Sequence, residues 1–194
     1  MAQGKDGHNH LRISGQIIGD HGKKFRTLTT SLAAATVFIA SLGGSINAAT
    51  EIGKIVRHKR MTTIVMCQDY CASTCGLIRL ADERRLLAPK ARVGLLTTYA
   101  HRNGIRLTLA AGNAVVDRYI AFLNPPVHAF TVATAGGPEE VNWLDVINNR
   151  SSGIELELLE SEIDAAWAVR SGVENRSGMM KVPINRTLAD RQVF

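Results

Sequence analysis

Between Val37 and Val56 the pattern of apolar and polar positions changes period, and the change puts a strand and a helix on either side of a glycine pair. Val37, Phe38 and Ile39 are a short run of strand formers without polar alternation, which suits a strand covered on both faces. Gly43 and Gly44 interrupt the pattern, and Ser45 stands where a hydroxyl can cap a helix. Beyond it Ile46, Ala49, Ile52 and Val56 recur at spacings of three and four, the period of a helix with one buried face. A strand that feeds a helix across exposed N–H groups is a place where an anion or a developing oxyanion is stabilised. The glycines also have a purely steric reading, because a tight strand-to-helix turn needs residues that tolerate positive φ.

The rest of the chain alternates in the same way. Leu11 to Ile18 alternates apolar and polar residues as a strand does, and Asp20 is placed to cap a helix running to about Leu32. Thr62 to Cys67 predicts a second short β-branched strand, and Ala72, Cys75, Leu77, Ile78 and Ala81 predict a buried helix beginning near Ser73. Arg85 to Ala88 and Arg92 to Leu96 read as strands around Pro89. A long amphipathic helix is expected from about Asn103 to Phe122, stopped by Asn124-Pro125-Pro126. Then come a helix over Glu139 to Asn148, a strand over Ile154 to Leu159 and a short helix over Glu162 to Arg170. Repeated β-α units imply a mainly parallel, right-handed α/β architecture. One domain over residues 11–170 is expected, with 1–10 and 171–194 as loosely ordered tails.

Composition narrows the function classes. At 45% hydrophobic and 21% charged residues, the 194-residue chain has the balance of a soluble globular protein. Its longest weakly polar run, Leu32 to Ala40, is too short to span a bilayer, so no membrane span is expected. The first ten residues carry no apolar core of a signal peptide, which points to the cytoplasm. A net charge of +6 invites a nucleic-acid reading, but the basic residues are scattered and aromatics are only 5%, which leaves no stacking surface; no nucleic-acid partner is expected. Cys67, Cys71 and Cys75 are spaced by four, without the fourth ligand or the closer pairing of a zinc site, so no metal or other cofactor is expected. A Cys71–Cys75 disulfide would be badly placed inside one regular helix and would require the turn to deviate; the odd count leaves at least one free thiol.

A second stretch carries chemistry. In CASTC, Cys71 to Cys75, Ser73 stands between strand and helix, where a hydroxyl is presented at the electropositive helix N-terminus. The Thr74 amide, with an amide from Gly43 or Gly44, could form an oxyanion hole around a carbonyl attacked by Ser73. The plainer alternative is that Ser73 is only an N-cap.

SLGGSINAATEIGKIV followed by CASTCGLIRLADERRLLAPKARVG resembles the ClpP proteolytic subunit of the ClpP/crotonase superfamily, and its bacterial ClpP-like, often periplasmic, relatives with a Cys-Ala-Ser-x-Cys motif. The resemblance covers about Ile13 to Ile154. It implies an α/β spiral of repeated β-β-α units with a mainly parallel sheet, self-association into a homo-oligomer, and a peptide or protein substrate. By the same resemblance Ser73 takes the nucleophile's position, and Gly43, Gly44 and Thr74 take the oxyanion positions. A periplasmic location is implied too, against the cytoplasmic reading of the N-terminus.

Departures from the family pattern bear on activity. The position of the general-base histidine is occupied by Leu96, which cannot take a proton, and the triad acid's position is Val141, with Glu139 and Glu140 nearby. Leu42 replaces the proline before the glycine pair. A serine without a base is a weak nucleophile. His101 could supply a base from a loop, and Lys90 could do so only if desolvation lowered its pKa. The expected function is therefore that of a ClpP-like serine peptidase homologue, with a retained oxyanion turn and serine but a degenerate triad, acting in peptide binding or assembly. An active serine hydrolase using Ser73 with a non-standard base is the alternative. A crotonase-like acyl-coenzyme A enzyme would use the same turn for a thioester enolate, and the CASTC stretch argues against it.

Overall fold

The computed structural model describes residues 9–67, 69–82, 84–95, 99–102, 105–108, 110–124, 142–144, 154, 156–159 and 180–182. In chain order its elements begin with β1 (His10–Ile17), α1 (His21–Thr29), β2 (Thr36–Gly44) and α2 (Ile46–His58). They continue with β3 (Thr62–Val65), β4 (Tyr70–Ala72), α3 (Thr74–Ala81), β5 (Arg85–Leu87) and β6 (Arg92–Leu95). Then follow β7 (Tyr99–Arg102), β8 (Ile105–Thr108), α4 (Ala110–Leu123), β9 (Asn142–Leu144), β10 (Glu157–Leu158) and β11 (Met180–Val182).

The strands β10-β5-β3-β2-β4-β6 form a parallel sheet, and β9 adds to its β6 edge antiparallel. β1 pairs parallel with β2, and β11 with β1. β2 serves two neighbours in turn: Thr36 to Phe38 pair with β3, whereas Ser41 pairs with Cys71 of β4. A strand that changes partner along its length curls the sheet, giving the spiral that the resemblance to ClpP implies, built from the mainly parallel strands that the repeated β-α pattern predicts. Val37, Phe38 and Ile39 are all buried, as an unbroken apolar run requires of a central strand.

Packing against the sheet uses the expected helix face. Ala49, Ile52 and Val56 of α2 are fully buried, and Ser45 accepts the Ala48 N–H as N-cap. Gly53 is where α4 closes on α2, since a Cβ there would run into the Tyr119 phenol. That phenol donates to the Leu77 carbonyl of α3 at 2.9 Å, and burial pushes its pKa well up. Behind α3 lies a buried polar cluster. Asp82 accepts from the Thr63 N–H and hydroxyl, Arg79 donates to the Thr63 and Leu86 carbonyls, and Arg85 reaches Asp82 at 3.2 Å. These bonds tie the end of α3 to β3 and β5.

Several expectations change. The long helix from Asn103 is instead a hairpin, β7–β8, followed by the shorter α4. Between the paired strands the sequence reads Asn103-Gly104, a strong two-residue hairpin signal that outweighs the apolar spacing around it. Within the expected 139–148 helix, Asn142 to Leu144 form β9, because pairing with the open edge of β6 overrides a local helical spacing. Asp20 makes no side-chain cap; its carboxylate pairs with Lys24 at 2.6 Å. Met180–Val182, in the stretch read as a tail, pairs with β1. The expected helix over Glu162 to Arg170 lies outside the described residues.

Candidate active site

Strand β4 passes into α3 through a single residue. Ser73 adopts φ 56°, ψ −128°, a conformation that L-residues rarely occupy, and so turns the chain without a loop. Its N–H donates to the Gly94 carbonyl of β6 at 2.8 Å, and its carbonyl accepts the Gly76 N–H at 2.9 Å. The half-buried Ser73 side chain makes no capping hydrogen bond to α3, so the plain N-cap reading does not describe what the hydroxyl does. Thr74 opens α3. Its amide is among those that a helix N-terminus leaves unpaired, and its buried Oγ1 has no hydrogen-bond partner among the described residues.

Gly43 meets this elbow from β2. With φ +93°, it approaches so closely that a Cβ there would lie 2.8 Å from the Ala72 carbonyl oxygen and Ser73 Cβ, and 2.9 Å from Thr74 N. Gly44, at φ +143°, faces the other way, where a Cβ would collide with the Ile17 carbonyl of β1. The structure thus brings Gly43, Ser73 and Thr74 together, while Gly44 packs on β1. The sequence reading missed Ser41. Its buried Oγ donates to the Gly15 carbonyl and accepts the Gly43 N–H at 3.0 Å, so the Gly43 amide has an internal acceptor. A small polar residue at a buried position two before the glycine pair was the signal available.

Cys71 and Cys75 form a disulfide, with Cα atoms 5.2 Å apart and both residues fully buried. The geometry is feasible because Cys71 belongs to β4 and Cys75 to the first turn of α3, so the turn does deviate from one regular helix. Cys67 is free and exposed. Among the described residues no group of three or more His, Cys, Asp or Glu could hold a metal ion.

Leu96, Glu139, Glu140 and Val141 lie outside the described residues. His101 is on β7, opposite Arg106, in a two-stranded sheet separate from the one that carries Ser73. Lys90 is exposed in the turn before β6, whereas Ser73 bonds to Gly94 near the other end of that strand. It lacks the burial a lysine base requires and stands at the opposite end of β6 from Gly94, which removes it as a candidate. Apolar side chains do border the site. Leu42, next to Gly43, is 66% exposed, and Trp143, opposite Gly94 on β9, is 40% exposed.

No family model matches the chain, and no curated protein matches it by sequence. Solved structures do. ClpP1 from Listeria monocytogenes is 21% identical with a TM-score of 0.56, over 80% of this chain and 93% of that one. The 1510-N membrane-bound stomatin-specific protease is 15% identical with a TM-score of 0.61, over 90% of this chain and 93% of that one. The ClpP catalytic domain from Plasmodium falciparum is 16% identical with a TM-score of 0.58, over 79% of this chain and 86% of that one. The chain has a ClpP-like peptidase fold.

Proposed function

We propose that the chain is a ClpP-like serine peptidase homologue that binds peptide across the Gly43–Ser73 elbow and carries Ser73 as a nucleophile without a histidine at the family's base position. The observation that supports this most is the Ser73 backbone. A non-glycine residue in so sparsely populated a region costs on the order of 1–3 kcal/mol and persists only when its surroundings enforce it, as functional sites do. The α3 N-terminus favours negative charge beside Ser73, which suits a polarised carbonyl oxygen. Exposed Leu42 and Trp143 offer apolar contacts to the substrate's side chains. With leucine at position 96, hydrolysis is slow and binding dominates.

A fluorophosphonate probe tests the reading. Slow labelling of the wild type that vanishes in Ser73→Ala supports it; the absence of any labelling over hours of exposure overturns the nucleophile assignment. The strained Ser73 also favours a second reading, an active hydrolase, for which His101 on β7 is the base to test. That reading requires fast labelling that falls in His101→Ala.

A further inference from the structure

The disulfide straddles Ser73. Cys71 lies two residues before it in β4 and Cys75 two residues after it in α3, so the covalent ring encloses the residue with the strained backbone. A bridge over so short a loop restricts the unfolded chain less than a long-range bridge does, and its main effect is local. What it fixes locally is the angle at which β4 enters α3. That angle sets the Ser73 N–H bond to Gly94, the Gly76 N–H bond to Ser73, and the contact of Gly43 with Ser73 Cβ and Thr74 N.

We propose that the Cys71–Cys75 bond is a redox latch on the Ser73 elbow: oxidised, it holds Ser73 and the Thr74 amide against Gly43, and reduction releases them. Reduction breaks the Sγ–Sγ bond and adds two electrons and two protons, leaving two thiols. A dithiol reductant gives up the same electrons and protons and closes to its own disulfide. Both cysteines are fully buried, so the attacking thiolate reaches sulfur only when the elbow opens locally, and reduction is slow. The effect on serine reactivity rests on the nucleophile reading above, whereas the effect on the backbone does not.

The test uses the full chain carrying Cys67→Ser, which removes the exposed thiol and leaves the bridge as the only redox centre. Alkylation and mass spectrometry establish the state before and after dithiothreitol. In the reduced protein, hydrogen exchange at the Ser73 and Gly76 amides should accelerate about tenfold or more while the buried face of α2 is unchanged. Fluorophosphonate labelling of Ser73 should fall by a similar factor and return on reoxidation. The Cys71→Ala, Cys75→Ala variant should behave like the reduced form with or without dithiothreitol. Faster exchange without labelling in either state sustains the latch and overturns the nucleophile reading. Equal labelling and equal exchange in both states overturn the latch, as does finding Cys71 and Cys75 as free thiols in air-purified protein.

Discussion

Gly43 packs directly on Ser73: a Cβ at Gly43 would come within 2.8 Å of Ser73 Cβ, closer than folded proteins allow. Gly43→Ala therefore combines a strained φ of +93° with a clash at the elbow. We expect it to destabilise the protein by on the order of 1–3 kcal/mol and to abolish fluorophosphonate labelling of Ser73. Gly44→Val should cost at least as much in thermal unfolding, because its side chain would meet the β1 backbone at Ile17. An unchanged melting temperature in either variant would remove the glycine turn described here.

Ser41 separates the structure of this turn from its chemistry. Ser41→Ala leaves the Gly43 N–H and the Gly15 carbonyl without their buried partner, a loss of about 1–3 kcal/mol by thermal or denaturant unfolding. If the Gly43 amide serves a substrate oxyanion, it must leave the Ser41 hydroxyl to do so, and labelling of Ser73 should survive in folded Ser41→Ala. Loss of labelling there would mean that the hydroxyl itself orients the amide.

Much of the fold was legible because it is carried by local pattern. The unbroken Val37–Ile39 run, the three-four spacing after Ser45 and the Ser73 turn all appear where their residues put them. The failures arose where pairing partners distant in sequence decide the outcome. Asn142 to Leu144 become a strand because β6 offers them an edge, and Tyr70 to Ala72 because Ser41 and Arg92 to Gly94 flank them. Asn103-Gly104 was a local signal that the apolar spacing on either side obscured. At the site, the meeting of Gly43 with Ser73 and Thr74 is a contact between chain segments, and the glycine pair and CASTC only hint at it. The bond from Gly43 to Ser41 depends on β1 supplying the Gly15 carbonyl, and nothing in one segment announces that.

The buried cluster behind α3 gives a stability test away from the elbow. Asp82 is fully buried between two guanidinium groups and accepts from Thr63. Asp82→Asn leaves Arg79 and Arg85 without their counter-charge, and we expect a loss of about 3–5 kcal/mol in urea unfolding at neutral pH. A loss below about 1 kcal/mol would show that water reaches the cluster.

Self-association is expected from the ClpP-like fold, and α4 (Ala110–Leu123), the part of the expected Asn103 to Phe122 segment that is helical, offers a surface for it. On α4 the large exposed apolar residue is Phe122, with Lys54 near its ring. Light scattering at micromolar concentration should give an oligomer, and Phe122→Ser should shift it toward monomer. A monomeric wild type would end this expectation.

The last expectation concerns Leu96, two residues beyond the Gly94 whose carbonyl holds the Ser73 N–H. If position 96 is the missing base, wild type should hydrolyse activated esters barely above background, and Leu96→His should raise that rate. General-base assistance typically contributes about 10²–10⁴-fold, and without an acid to hold the imidazole tautomer the gain should be near the low end, about 10²-fold. The gain should vanish in Leu96→His, Ser73→Ala, because the two side chains would act as one unit. It should also fall in Gly43→Ala, since a base helps only where the oxyanion is still met. Efficient hydrolysis by wild type that is lost in His101→Ala would show that the base was never missing, and the degenerate-triad reading would then give way to the active hydrolase.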